Sequence, residues 1–192
     1  MRETVLERTT KETDIRVGVN LDHWGEAKIN TGIGFFDHML HAFAFRAGIT
    51  LHVTCKGDLQ VDGHHTVEDV GITLGQAIRK SLGDKAGIRR FGSAAIPMDE
   101  ALVNCVLDIS GRPYLVFNAQ FPAPKVGDFE TELVEEFFRA VALHSGITLH
   151  INLAYGRNTH HIVEAMFKAF GVAFGQAILQ AGDEIPSTKG VL

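Results

Sequence analysis

The chain has 192 residues, 45% of them hydrophobic, and a formal net charge of −5. A chain of this length can bury a sizeable core without disulfides, and its two cysteines are too few for a disulfide framework. The negative charge disfavours a nucleic-acid partner, which requires clustered Lys and Arg. No apolar run approaches the roughly 18 residues of a membrane span, and the N-terminus lacks a signal-peptide pattern. We therefore expect a cytoplasmic protein with no membrane partner.

The first half predicts three strands, a helix, a strand and a helix. Residues 13–21 alternate between apolar and polar side chains, and a turn at 22–25 leads to 27–31, so these two segments predict a hairpin. Helices are predicted at 36–47 and 65–82, with a strand at 49–55 between them.

The second half predicts the same plan. Strands at 101–109 and 114–119 are expected to pair across the turn at 110–113. A helix at 129–144, a strand at 147–154 and a helix at 160–181 follow.

Short motifs return at nearly constant spacing. Gly-Ile-Thr-Leu-His occurs at 48–52 and at 146–150, and Gly-Gln-Ala-Ile occurs at 75–78 and at 175–178. These returns indicate a tandem repeat, which we divide into residues 1–93 and 94–192 of one compact domain. The predicted fold is α+β and internally duplicated: each half has a four-stranded sheet and two helices, and the helices pack between the sheets.

The last predicted helix of each half begins with a pentad, and the two pentads match. Residues 64–68 read His-His-Thr-Val-Glu and residues 160–164 read His-His-Ile-Val-Glu. Residues four apart share a helix face, so the first His and the Glu of each pentad can bind one cation. Consecutive helical residues point about 100° apart, so the second histidines, His65 and His161, should reach a different metal. One such motif can be accidental, whereas two matched ones favour a metal site.

The repeat suggests one further ligand for each metal. With the 98-residue spacing of the Gly-Ile-Thr-Leu-His motif, His38 falls opposite Glu136. The two predicted ligand sets are His64, Glu68, His161 and Glu136, and His160, Glu164, His65 and His38. Imidazole and carboxylate together suit Mn²⁺, Fe²⁺ or Zn²⁺, and the oxygen ligands favour Mn²⁺.

Further motifs lie at 10–13, 34–40, 62–69, 98–101, 108–113, 167–170 and 186–190. With the pentads, these motifs resemble the imidazoleglycerol-phosphate dehydratase family along essentially the whole chain. The resemblance implies a metal-dependent hydro-lyase of histidine biosynthesis that dehydrates D-erythro-imidazole-glycerol 3-phosphate to imidazole-acetol phosphate. It also implies a homo-oligomer of 24 subunits, with two Mn²⁺ ions in each active site at subunit interfaces.

The resemblance assigns the other site residues. It makes Glu12 the acid/base group that takes a carbon-bound proton of the substrate. Its phosphate pocket comprises Arg90, Arg112, Lys168, Ser187 and Lys189. Glu136 departs from the family pattern, because many members have His there, so the resemblance implies an altered metal preference or affinity at that position.

Two other classes of protein remain open on the residues alone. A metal-storage or di-iron helical bundle also carries His and Glu on helices, but it uses Glu-x-x-His and long helices. A metallohydrolase fits the ligands but leaves the basic pocket unexplained. An assay of phosphate-ester hydrolysis against dehydration separates the hydrolase from the dehydratase.

Overall fold

The computed structural model describes residues 1–192 as two halves with the same element order. The first half runs β1 (Glu3–Thr9), β2 (Thr13–Asn20), β3 (Lys28–Asn30), α1 (Gly34–Ala47), β4 (Thr50–Gly57) and α2 (His64–Leu82). The second half runs β5 (Phe91–Met98), β6 (Ala101–Asp108), β7 (Tyr114–Asn118), β8 (Lys125–Val126), β9 (Phe129–Glu130), α3 (Glu132–Ser145), β10 (Thr148–Tyr155) and α4 (Thr159–Ile178). The predicted order of three strands, helix, strand and helix is confirmed, with a small added hairpin of β8 and β9.

Each half forms a four-stranded sheet with one parallel pair. The strand orders are β1-β2-β4-β3 and β5-β6-β10-β7, in which β3 is parallel to β4 and β7 is parallel to β10. The two predicted hairpins are therefore wrong, because β2 does not pair with β3 and β6 does not pair with β7. The connections at 21–27 and 109–113 instead carry the chain past the position beside β2 or β6, and the later strand β4 or β10 fills that position.

Two helix boundaries differ from the sequence prediction by three residues, and the others agree within two. The helix predicted from residue 129 begins at Glu132, because Phe129 and Glu130 pair with β8 as a strand. The last helix ends at Ile178 rather than at residue 181, since the backbone of Leu179 is extended.

The four helices lie between the two sheets. Helix α2 packs against the first sheet and α4 against the second, while α1 contacts α4 and α2 contacts α3. The inner faces of both sheets and all four helices contribute to one buried hydrophobic cluster of 47 residues. This confirms the predicted α+β duplication with helices between the sheets. The predicted boundary at 93/94 falls inside β5 and remains a prediction. None of the four helices combines the length and the apolar character that crossing a bilayer requires.

The repeated Gly-Ile-Thr-Leu-His motif marks a helix end followed by a strand. Gly48 ends α1 and Gly146 ends α3, both in the left-handed region with φ of 68° and 76°. Glycine adopts this conformation without the strain that a Cβ would cause. The next residue, Ile49 or Ile147, is fully buried, so the motif turns the chain from helix to strand while it anchors both to the core.

The repeated Gly-Gln-Ala-Ile motif marks close contact between helices of the two halves. A Cβ on Gly175 of α4 would lie 2.7 Å from the carbonyl oxygen of Ala47 in α1. A Cβ on Gly75 of α2 would lie 2.9 Å from the carbonyl oxygen of Val141 in α3. Glycine therefore permits the backbone approach that pairs helices across the repeat.

We expect Gly175→Ala to destabilise the protein by about 1–3 kcal/mol, because the added methyl group overpacks against a backbone atom that cannot move freely. Gly34→Ala is the matched control, because a Cβ on Gly34 meets no atom within 4 Å. The control should change the free energy of unfolding by less than about 0.5 kcal/mol. Chemical denaturation measures both variants, and equal effects would contradict the importance of the α1–α4 contact.

Candidate metal centre and active site

Both pentads lie in the first turn of their helices, where local hydrogen bonds fix them. The Asn158 side chain caps α4 by accepting hydrogen bonds from the backbone N–H groups of His160 and His161. The Asp62 carboxylate accepts a hydrogen bond of 2.8 Å from the backbone N–H of His64 at the start of α2. Such caps satisfy N–H groups that lack partners within the helix. The helix starts thus hold the two His-His pairs in defined positions.

Three candidate ligands from two helices meet in one group. His38 Nε2 on α1 lies 3.2 Å from a Glu164 carboxylate oxygen on α4, and His160 Nε2 lies 3.1 Å from the same oxygen. The donor atoms of these three residues all lie within 4.8 Å of one another. They are three of the four residues in one predicted ligand set. The fourth, His65, lies outside the group.

Glu164 is the buried centre of this group. Its side chain is 9% exposed, and its other carboxylate oxygen accepts a hydrogen bond of 2.6 Å from Lys168 Nζ. Burial raises the pKa of Glu164, but the hydrogen bond and charge of Lys168 and the bonds to His38 and His160 outweigh it, so the pKa is lower than usual. The carboxylate is therefore ionised and available to a cation.

The second predicted ligand set does not come together within the chain. His64 Nε2 lies 3.8 Å from a Glu68 carboxylate oxygen, so this pentad shares one face of α2 as predicted. Glu136 on α3 instead binds Arg139 at 2.6 Å, and Arg139 also binds Glu135 at 2.7 Å. Sequence reasoning missed this ion pair.

The second histidine of each pentad, His65 or His161, is called its lone histidine, because it is expected to bind a different metal from the rest of its pentad. The lone histidine of the first pentad lies against two carboxylates. His65 Nδ1 lies 3.0 Å from Asp58 Oδ2, and its Nε2 lies 3.8 Å from Glu12 Oε1. The hydrogen bond to Asp58 raises the pKa of His65 above its ordinary value of 6.5, against a smaller effect of burial. The structure thus brings Glu12, the predicted acid/base group, beside a predicted metal ligand.

The second lone histidine has a similar environment. His161 Nδ1 lies 2.8 Å from Glu100 Oε2, and its Nε2 lies 3.6 Å from Asp99 Oδ2. The hydrogen bond to His161, together with those from the backbone N–H groups of Asn158 and Arg157, lowers the pKa of Glu100 to about 2. Sequence reasoning missed Asp58, Glu100 and Asp99.

The predicted phosphate residues form separate groups within one chain. Arg90 binds Asp108 with two hydrogen bonds, at 2.7 and 3.1 Å, and Arg112 Nη2 lies 3.6 Å from the same carboxylate. Arg90 also donates to the carbonyl oxygen of Pro186, next to Ser187. Lys189 lies in the same C-terminal segment, where its backbone N–H donates to the Ser187 hydroxyl.

Lys168 stands apart from this basic group. The backbone N–H of Arg90 donates to the carbonyl oxygen of Ala177, nine residues after Lys168 on α4. At 1.5 Å per residue, the backbone of Lys168 lies about 13.5 Å along the helix from that of Ala177. The Lys168 side chain binds Glu164, still farther along the helix from Ala177. One chain therefore does not gather all five predicted phosphate residues.

The residues of the His38 group fit a divalent cation. Two imidazoles and an ionised carboxylate within one small volume are the nitrogen and oxygen ligands that Mn²⁺, Fe²⁺ and Zn²⁺ accept. Three protein ligands also leave room for a further ligand or for substrate. A His/Glu group on paired helices of a duplicated α+β scaffold thus defines a candidate metalloenzyme.

Comparison with known proteins identifies the family. The family model for imidazoleglycerol-phosphate dehydratase matches residues 31–174. The imidazoleglycerol-phosphate dehydratase of Exiguobacterium is 58% identical over 191 residues, covering 99% of this chain and 98% of the relative. That of Acetivibrio thermocellus is 58% identical over 193 residues, covering 100% and 99%. The chain therefore belongs to the imidazoleglycerol-phosphate dehydratase family.

Solved structures agree with this assignment. The crystal structure of the Staphylococcus aureus enzyme has a TM-score of 0.86 at 45% identity, covering 93% of this chain and 99% of that chain. The Pyrococcus furiosus structure has a TM-score of 0.85 at 42% identity, covering 97% and 100%. Family membership makes the protein a dehydratase, a lyase with a role in histidine biosynthesis.

We expect Glu136→Gln to weaken Mn²⁺ binding at one of two positions by at least about tenfold, because the amide loses the charge of a predicted ligand. Glu135→Gln is the matched control, since Glu135 binds the same arginine, Arg139, but is not a predicted ligand. Titration of metal-free protein with Mn²⁺ gives occupancy per subunit. If Glu136→Gln loads both positions as the parent does, Glu136 is not a ligand.

Proposed function

We propose that the protein dehydrates D-erythro-imidazole-glycerol 3-phosphate to imidazole-acetol phosphate with two Mn²⁺ ions per active site. The observation that carries this proposal is the group of His38, His160 and Glu164 in a member of this family. The substrate offers an imidazole and hydroxyl groups to the metals and a phosphate to basic side chains.

The proposed ligand sets are the two predicted from the sequence. Three members of one set already meet within the chain, and that set lacks only His65 from the other pentad. Bound cations supply Lewis acidity, which lowers the pKa of the imidazole and hydroxyl groups that they ligate. The mixed imidazole and carboxylate ligands favour Mn²⁺.

Glu12 is proposed to remove a carbon-bound proton of the substrate. Loss of this proton and of the hydroxyl group gives an enol, which tautomerises to the product. Its side chain is 52% exposed, and it borders a cleft of about 330 Å³ at the turn between β1 and β2. The backbone around it is fixed: its N–H donates to Thr10 Oγ1, and its carbonyl oxygen accepts from the N–H of Asp58. Glu12 thus combines a rigid backbone with a carboxylate that substrate can reach.

The turn that carries Glu12 is also anchored to α2. The hydroxyl of Thr13, the next residue, donates to the buried Asp69 carboxylate at 2.6 Å, and Arg8 Nη1 lies 2.6 Å from the same oxygen. Asp69 directly follows the first pentad. The acid/base group and the metal ligands of this half are therefore attached to the same helix end.

Phosphate binding is assigned to Arg90, Arg112, Lys168, Ser187 and Lys189. The Arg112 side chain is 69% exposed, and its guanidinium can grip phosphate oxygens with two hydrogen bonds. Arg90 is held by Asp108 and orients the segment before Ser187 through the Pro186 carbonyl.

The separation of the site residues supports an active site shared between subunits. Neither lone histidine joins the ligand group, and Lys168 binds Glu164 of that group rather than the residues around Arg90. Large apolar side chains are also exposed, among them Val61, Phe91, Tyr114 and Tyr155. A subunit interface over these side chains would remove their apolar surface from water. We propose a homo-oligomer of 24 subunits, located in the cytoplasm, whose interfaces complete the sites.

Removal of the metal should abolish dehydration, and Mn²⁺ should restore it, because the substrate carbon proton is not acidic without metal assistance. The measurement is formation of imidazole-acetol phosphate by chelator-treated protein before and after addition of Mn²⁺. Phosphate release is followed in the same samples. Full activity in excess chelator, or phosphate release without dehydration, would refute the proposal, the latter in favour of a metallohydrolase.

Glu12→Gln should lower turnover by at least about 10²-fold, because the amide cannot accept a proton. Metal content and substrate binding should be unchanged, since Glu12 is in neither ligand set. Glu7→Gln is the control: Glu7 is an exposed glutamate on β1 that binds Arg16, so its loss should leave turnover as in the parent. Near-parental turnover of Glu12→Gln would remove Glu12 from the mechanism.

A further inference from the structure

The strand register shows that Glu12 and Glu100 occupy equivalent positions in the two halves. In the first sheet, Gly18 of β2 lies opposite His52 of β4. In the second sheet, Val106 of β6 lies opposite His150 of β10, the repeat partner of His52. Glu12 lies six residues before Gly18, and Glu100 lies six residues before Val106. Both glutamates directly precede the strand that pairs with the central strand of their sheet.

The equivalent glutamates contact the lone histidines differently. Glu100 Oε2 lies 2.8 Å from His161 Nδ1, and its Oε1 accepts hydrogen bonds from the backbone N–H groups of Arg157 and Asn158. Glu12 makes no side-chain hydrogen bond and lies 3.8 Å from Nε2 of His65, on the opposite side of the ring. The carboxylate of Glu100 is held by hydrogen bonds, whereas the carboxylate of Glu12 is not.

In the first half, Asp58 occupies the place on the ring that Glu100 occupies in the second. Its oxygens lie 3.0 and 3.2 Å from His65 Nδ1. Asp58 directly follows β4, and the residue that directly follows β10 is Gly156. A Cβ on Gly156 would lie 2.7 Å from Ile162 Cγ1 and 3.0 Å from Ala101 Cβ. A side chain at that position would collide with Ile162, and the second half has glycine where the first half has Asp58.

We infer that Asp58 and Glu100 are positioning residues that hold His65 and His161 with Nε2 directed to the metal. The inference rests on the proposed function. A carboxylate that accepts Nδ1–H fixes both the tautomer and the ring orientation of a metal-binding histidine. In the first half Asp58 orients His65, so Glu12, the equivalent of Glu100, is not needed to orient this ring. Glu12 is therefore free to act on substrate.

The test compares Mn²⁺ binding by Asp58→Asn, Glu100→Gln and the double variant. Free Mn²⁺ is measured by electron paramagnetic resonance during titration of the metal-free protein. Each single variant should keep one tight Mn²⁺ per subunit and bind the other about 10–100-fold more weakly. The double variant should weaken both. Unchanged binding of both ions by either single variant would overturn the inference for that residue.

Two controls separate ring orientation from loss of charge. Glu12→Gln removes the carboxylate at the position equivalent to Glu100, and it should bind both ions as the parent does. Asp62→Asn removes a charge from the same loop as Asp58 but retains an oxygen that can accept the N–H of His64. It should also bind both ions. Weakening by either control equal to that of Asp58→Asn would show that charge alone accounts for the effect and overturn the inference.

A double-mutant cycle separates positioning from general damage to the fold. In a His161→Ala background, Glu100→Gln should change Mn²⁺ affinity by less than about threefold, because the ring that it orients is absent. The same holds for Asp58→Asn in a His65→Ala background. If the losses of Mn²⁺ affinity caused by the carboxylate and histidine substitutions add in full in the double variant, the inference is overturned. A parent protein that binds no Mn²⁺ and forms no product would refute the proposed function itself.

Discussion

The pairing of each helix with a helix of the other half is the constraint on which the site depends. Contact of α1 with α4 brings His38 to Glu164, although 126 residues separate them in the chain. The glycines of the repeated helix motif allow this approach, since a Cβ on Gly175 would meet the α1 backbone. The same packing that buries the apolar faces of the helices therefore positions the three metal-competent side chains.

Much of this arrangement could be predicted, because it follows from helical geometry and from the repeat. The pairing of His160 with Glu164 follows from their spacing of four residues, and the 98-residue offset pointed to His38. The α+β duplication followed from motifs that recur in the same order. These features depend on local geometry and on symmetry, and both can be read from one sequence.

What could not be predicted depends on long-range placement. The parallel pairing of β3 with β4 is set by which side of the central strand a loop crosses to, and alternation of apolar residues carries no such information. The contact of Asp58 with His65 is visible only once the elements are packed. Glu100 lies 61 residues from His161, and its place before β6 showed its equivalence to Glu12 only through the strand register.

The lack of space at Gly156 limits how the two halves can evolve. A duplicated protein begins with interchangeable halves, and each can lose a function that the other retains. Here an aspartate in place of Gly156 would collide with Ile162 and approach Ala101 closely, so those side chains would have to shift to admit it. With the proposed roles, Glu100 therefore orients His161 alone, and moving that role to position 156 would require changes in the neighbouring side chains as well. Symmetry of the fold is thus kept while symmetry of the chemistry is lost.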